Sequence, residues 1–257
     1  MADMQAMADG PAVQVSLRNV RKVFGVAAGA HIAVSDVTLD VHQGDLISLV
    51  GPSGCGKTTV LKILAGLYRT DGGEVRTAQG GLRVGMVFQQ PLLLKWRTIL
   101  ENVMLPAEIL HLPRDAARQR AAQLLEMVGL GGYGGRFPHE LSGGMQQRAA
   151  IARALVHDPE LLLMDEPFGA LDALTRERIN LELLRIWQES GKTIVFVTHS
   201  VQEAVFLGTH CAVLTAGPAR MADFFPIDLP HPRGLAMRAT PEFGALVQRI
   251  YRQLGLA

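Results

Sequence analysis

The sequence predicts an α/β fold: a core of mixed sheet with helices around a phosphate-binding loop, an antiparallel β patch at the N-terminus, and an inserted α-helical subdomain. Three observations carry that expectation. Short apolar runs at 46–50, 161–164 and 193–197 read as strands buried on both faces, and helical periodicity recurs between them. Gly51-Pro52-Ser53-Gly54-Cys55-Gly56-Lys57-Thr58-Thr59 fits the pattern of two glycines followed by Lys and Thr that lets backbone N–H groups turn inward onto phosphate. The stretch 98–128 holds two helical patterns in succession with no strand between them.

In chain order, 13–20 alternates apolar and polar residues and reads as a half-buried strand, and 33–41 as a second. Phe24 between them offers either a flat face to a nucleotide base or a core aromatic. Strand 46–50 enters the phosphate loop and a helix over 59–67 leaves it, with the positive end of its dipole at the loop. Lys57 supplies a point charge to β/γ-phosphates and Thr58 a hydroxyl for Mg²⁺. Asp71-Gly72-Gly73 reads as a turn and 82–88 as a strand that Pro91 stops, after Gln89 and Gln90. Helices over 98–112 and 114–128 end at 129–135, where five of seven residues are glycine.

Leu141-Ser142-Gly143-Gly144-Met145-Gln146-Gln147-Arg148 then opens a helix reaching about residue 157. Ser142 is a good N-cap, and Gly143 and Gly144 leave backbone donors open at a second anion site or a plain capped helix start. Strand 161–164 delivers Asp165 and Glu166 to its C-terminal end, where ligands of open α/β sheets gather. Asp165 is placed to hold Mg²⁺, and Glu166 to orient or deprotonate an attacking water. A helix over 173–190 follows, then strand 193–197, past which His199 can reach a terminal phosphate or merely neighbour a helix cap. Strands at 211–214 and 221–225, a Pro-rich loop over 226–234 and a helix over 242–254 close the chain.

Composition narrows the function classes. With 257 residues the chain can bury a substantial core, and a formal net charge of +1 argues against electrostatic capture of nucleic acid or an anionic membrane. The first twelve residues lack the apolar core of a secretion signal and read as a flexible tail. Two cysteines, Cys55 and Cys211, give no disulfide framework and suit a reducing cytosol. Cys55 stands at a helix start, where a thiol pKa falls. It reads as a space filler in preference to a redox sensor, because the loop needs only its backbone N–H.

Taken together, Gly51 to Thr58, Gln89, Leu141 to Gln146, Leu161 to Glu166, Ala170-Leu171-Asp172 and His199 resemble the ATP-binding subunit of ABC transporters over essentially the whole chain. Within that family, 141–148 and 168–176 look like the nitrate/sulfonate/taurine importer ATPases. The resemblance implies an ABC ATPase domain over 13–257, with 90–158 as the inserted helical signature subdomain. It implies a head-to-tail homodimer with ATP trapped between residues 51–59 of one chain and Ser142, Gly143, Gly144 and Gln146 of the other. Phe24 would stack on adenine, and Gln89 would help bind Mg²⁺ and water. Glu166 would act as general base, His199 would contact the γ-phosphate, and Asp172 would span the dimer interface. Integral-membrane permease subunits, and through them a solute-binding protein, would be the partners, with the chain peripheral on the cytoplasmic face of the cell membrane. Met145 stands where the signature commonly has Gln, Phe24 where Tyr is common, and Lys95 where such importers often have Pro. Two other readings, an ABC-type ATPase acting on nucleic acid or ribosomes and a small-molecule P-loop kinase, lack coiled coils or a tandem cassette in the first case. In the second they leave 141–148 and Asp172 without a role.

Overall fold

The computed structural model describes residues 12–25, 29–78, 81–169 and 172–256. Of the tail expected over 1–12, only Ala12 is among them, and its carbonyl accepts the Gln43 N–H at 2.9 Å. Ala170 and Leu171 also lie outside the described residues.

Strands β1 (Val13–Phe24) and β2 (His31–His42) pair antiparallel. Both run longer than their alternation suggests. Register shifts around Val20 and a left-handed Asn19 (φ 48°) break the period of two that the sequence pattern depends on. Next come β3 (Leu46–Val50), helix α1 (Lys57–Leu64), β4 (Gly72–Thr77) and β5 (Val84–Val87). The residues read as a turn at Asp71–Gly73 instead lead into β4, a mostly exposed edge strand paired with β1. A strand with one partner and few apolar residues leaves almost no hydrophobic signal.

The helical excursion follows: α2 (Ile99–Ile109), α3 (Arg114–Met127) and α4 (Gly143–Leu155). Thr98 and Glu101 form a capping box at the start of α2, each side chain bonded to the other's backbone N–H. Then come β6 (Leu161–Asp165), α5 (Ala173–Ser190) and β7 (Thr193–Val197), followed by α6 (Val201–Leu207), β8 (His210–Leu214), β9 (Ala219–Pro226) and α7 (Pro241–Gln253). Helix α6 was not expected, because six of its seven residues are buried and an all-round buried helix has no amphipathic period.

The nine strands of the described residues join one sheet in the order β4-β1-β2-β9-β8-β3-β7-β6-β5. From β8 to β5 every pairing is parallel, whereas β4-β1-β2 and β9-β8 are antiparallel, so the sheet is mixed as expected. Alternate residues of the central strands enter opposite cores. Ile47, Leu49, Leu163 and Val195 pack with α1 and the β patch, while Leu46, Met164, Ile194 and Phe196 pack with the helices from α2 to α7. Full burial of each such side chain contributes about 1.5–3 kcal/mol, which is what holds the loops at the strand ends in fixed places. Because β5 and β6 pair directly, everything between Val87 and Leu161 leaves the sheet and returns to it.

Candidate active site

Strands β3, β7, β6 and β5 are parallel neighbours in that order, so the loops leaving their C-terminal ends gather on one sheet edge. Register sets their heights. Leu49, Val197 and Asp165 share one row, and Val87 is level with Met164. The phosphate loop, His199, the Asp165–Glu166 pair and Gln89 therefore line up along this edge, as the sequence reading requires.

In the phosphate loop, Pro52, Ser53, Gly54 and Thr58 are exposed, Gly56 and Thr59 are half-buried, and Gly51, Cys55 and Lys57 are buried. Gly56 caps α1 at φ 110°, a left-handed conformation, and a Cβ there would sit 2.5 Å from the Ala33 carbonyl oxygen. Only glycine fits. Lys57 Nζ donates to the Gly51 and Pro52 carbonyls at 2.8 and 2.9 Å, which fixes the ammonium inside the curl of the loop. The expected fall in the Cys55 pKa is corrected. Its thiol is 1% exposed and burial pushes its pKa up, outweighing the nearby Lys57 charge, so it packs as a filler.

Thr58 Oγ1 donates to Asp165 Oδ1 at 2.9 Å, tying α1 to β6. Burial of Asp165 raises its carboxyl pKa, the Thr58 hydrogen bond draws it back down, and the adjacent Glu166 charge raises it again. A hydroxyl and a buried carboxylate at hydrogen-bond distance are hard oxygen donors. They suit Mg²⁺, which keeps most of its shell as water and substrate phosphate. Glu166 sits in the left-handed region (φ 44°), where its N–H donates to the Val197 carbonyl at 3.1 Å. Non-glycine backbone of this kind costs about 1–3 kcal/mol and concentrates at functional sites. The turn brings Glu166 Oε2 to 3.3 Å from His199 Nδ1.

Gln89 is exposed just past β5. Phe24, half-buried at the end of β1, meets Tyr68 edge-on at 5.4 Å with Lys22 5.5 Å from its ring centroid, which leaves it neither a core residue nor a free one. Ser142 caps α4 by accepting the Met145 N–H, and Ser142 and Gly143 are exposed. Gln146 turns inward, and its amide nitrogen donates to the Pro138 and Leu141 carbonyls, fixing the approach to the helix. Asp172 caps α5 through the Thr175 N–H; the Thr175 hydroxyl first, and that N–H second, hold its carboxyl pKa below the usual range.

Two groups of residues around these loops are given no role by the sequence motifs. Gln147 Nε2 donates to the Phe88 carbonyl, and Arg153 donates to the Pro91 and Leu92 carbonyls, so α4 grips both flanks of Gln89. Behind His199, Thr198 Oγ1 donates to the buried Glu203 at 2.6 Å, and Arg176 lies 3.6 Å from Glu203's other oxygen. The spacing Ser200-x-x-Glu203 before an apolar run was the available signal for that helix start.

The family model for the ABC transporter domain matches residues 34–169, which include the phosphate loop, Gln89, the Ser142 helix start and both β6 carboxylates. The chain belongs to the ABC transporter family. An aliphatic sulfonates import ATP-binding protein of Bacillus licheniformis is 42% identical over 246 residues, 94% of each chain. A taurine import ATP-binding protein of Roseobacter denitrificans is 44% identical over 213 residues, 80% of each chain. A solved ATP-binding cassette, described as a dimer in a post-hydrolysis state bound to ADP and Pi, is 33% identical. It superposes with a TM-score of 0.73 and covers 86% of this chain and all of its own. The cassette described here is thus an ABC ATPase with an α/β core of mixed sheet. No helix among its described residues is long and apolar enough to cross a membrane.

Proposed function

We propose that this cassette is the ATP-hydrolysing subunit of an importer of the nitrate/sulfonate/taurine type, working as a head-to-tail pair on membrane-embedded permease subunits that a solute-binding protein supplies. The observation that carries this is that one chain has two helix starts built to receive an anion. One is α1 behind the phosphate loop; the other is α4, with Ser142 and Gly143 exposed. Among the described residues no hydrogen bond joins the two, and a second copy completes each with the other. The import ATP-binding names of the relatives and the dimeric state of the similar cassette support the same reading.

In this mechanism the 51–59 loop cradles the phosphates, and Lys57 exchanges its two carbonyl partners for β- and γ-phosphate oxygens. Phe24 stacks on the base. Thr58, Asp165 and Gln89 would hold Mg²⁺, which would supply charge neutralisation for the transferred phosphate. Glu166 takes the proton of the attacking water as that oxygen bonds to the γ-phosphorus and the bond to the β-phosphate oxygen breaks, giving ADP and phosphate. His199, paired with Glu166 at 3.3 Å, contacts the γ-phosphate. Ser142, Gly143 and Gly144 of the opposing copy donate to the same phosphate, with Gln146 shaping that helix start, and Asp172 lies at the seam between copies.

Glu166→Gln tests the chemistry: hydrolysis should fall roughly 10²–10⁴-fold while ATP still binds and now drives dimerisation in gel filtration. Wild-type turnover would remove Glu166 from its role. Mixing Ser142→Arg chains with Lys57→Ala chains tests the shared site, because each mixed dimer then carries one intact composite site. ATP binding that does not recover would refute the head-to-tail arrangement.

A further inference from the structure

The reach of His199 towards phosphate depends on a loop only three residues long, between β7, which ends at Val197, and α6, which begins at Val201. An exposed side chain on so short a connection needs its backbone held if it is to meet a phosphate repeatedly in one orientation. Thr198 and Ser200 flank it, and the structure ties them to each other. Thr198 Oγ1 accepts the Ser200 N–H at 3.0 Å across His199, and the same hydroxyl donates to Glu203 Oε2 at 2.6 Å. Glu203 occupies the third position of α6. Its N–H donates to Ser200 Oγ at 3.2 Å, as in a capping box. Its carboxylate departs from that pattern. Instead of reaching back to the Ser200 N–H directly, it receives the Thr198 hydroxyl, which relays it to that N–H. Glu203 is 6% exposed, and its other oxygen lies 3.6 Å from Arg176 of α5. Arg176 in turn donates its backbone N–H to the carbonyl of Asp172 at 2.9 Å. A helix cap alone would need neither the relay through Thr198 nor a buried carboxylate facing an arginine from another helix.

We infer that Thr198 and Glu203 are positioning residues for His199, with Arg176 fixing the outer oxygen of Glu203. The hydroxyl of Thr198 clips the backbone on both sides of His199, and the carboxylate holds the hydroxyl in its donating direction. The imidazole is thereby presented to Glu166 and to the γ-phosphate at constant height above β7. This inference rests on the phosphate contact proposed above for His199.

The test is a double-mutant cycle in ATP turnover, normalised to folded protein, with His199→Ala, Thr198→Val and the pair. Thr198→Val should lower kcat about 10–100-fold with KM for ATP within about two-fold, and Thr198→Ser, which keeps the hydroxyl, should restore it. In the double variant Thr198→Val should add nothing to the loss from His199→Ala, because both act through one imidazole. Glu203→Gln keeps an acceptor for Thr198 and should lose less activity than Glu203→Ala. Wild-type kcat in Thr198→Val or Glu203→Ala, or losses that multiply in the double variant, would overturn the positioning role while leaving His199 in place. Wild-type turnover in His199→Ala would remove the phosphate contact, and the positioning role with it.

Discussion

Arg233 should be worth several kcal/mol to this fold, although no carboxylate among the described residues pairs with it. It is 5% exposed, and its guanidinium donates to five backbone carbonyls: Val205, Phe206 and Gly208 at 3.2, 3.0 and 2.8 Å, and Ile227 and Leu229 at 3.3 and 3.2 Å. Val205, Phe206 and Gly208 carry carbonyls at the C-terminal end of α6, where no further turn supplies donors and a cation is favoured. Burial pushes the Arg233 pKa down to about 10, so the group stays charged at neutral pH. Arg233→Met keeps the length and volume of the stem and removes every donor. Each buried carbonyl left without a partner costs roughly 1–3 kcal/mol, but neighbours relax and the losses do not add. A total of about 3–5 kcal/mol is therefore expected, the range for breaking a buried charged cluster. In a chain of this size that corresponds to a drop in Tm of roughly 6–20 °C. Thermal unfolding followed by circular dichroism at pH 7.5 measures it, with Arg233→Lys, which keeps three donors, falling between the two. A shift below about 2 °C for Arg233→Met would refute the reasoning, since it would mean that water or the backbone satisfies those carbonyls without the guanidinium.

Gly56→Ala should abolish ATP binding in equilibrium titration, because its Cβ would stand 2.5 Å from the Ala33 carbonyl at φ 110° and the loop must open to relieve it; an unchanged affinity would show that the loop tolerates another backbone path. Cys211 is fully buried and its pKa is raised to about 12 from 9.0. Below pH 9 the thiol is protonated in both states; above it only the unfolded chain ionises, so stability falls as pH rises from 9 towards 12 by about 1.4 kcal/mol per unit from this group. Urea unfolding at pH 8 and pH 10.5 should show a smaller alkaline loss in Cys211→Ala than in wild type. Arg153→Ala removes the donors to Pro91 and Leu92 and should speed amide hydrogen exchange across 88–94 about ten-fold; unchanged protection would mean that the segment is held by other contacts.

How much of this was legible in the sequence depended on whether a residue's role is local. The strands over 46–50 and 193–197 were read to the residue, because burial on both faces makes them unbroken apolar runs. The cap at Ser142 and the loop holding Lys57 and Thr58 are legible because caps and phosphate loops are short-range patterns, and the strand-end place of Asp165 because an unbroken apolar run precedes it; the cap that Asp172 makes emerges only from the structure. β4 and α6 were not legible, one for want of apolar residues and the other for want of polar ones. Gln146, Gln147, Arg153 and Arg176 show the deeper limit. Their side chains were visible in the sequence, but their partners lie between 5 and 62 positions away, and nothing in a side chain names a distant carbonyl.

Helix α4 joins two ends of the site that sequence motifs treat separately. Its N-terminus carries Ser142, Gly143 and Gly144; about one turn further along the same rod Gln147, and about three turns along Arg153, hold the chain on either side of Gln89. A 13-residue helix is about 20 Å long and stiff. If the opposing nucleotide draws on Ser142, the pull reaches Phe88, Pro91 and Leu92 through three side-chain hydrogen bonds, without any loop having to relay it. Burial lowers the Arg153 pKa, a cost that the two carbonyls offset only while the segment stays docked. Loss of that docking would break the hydrogen bonds to Pro91 and Leu92, so a displacement of the helix and one of the Gln89 segment are coupled through these contacts.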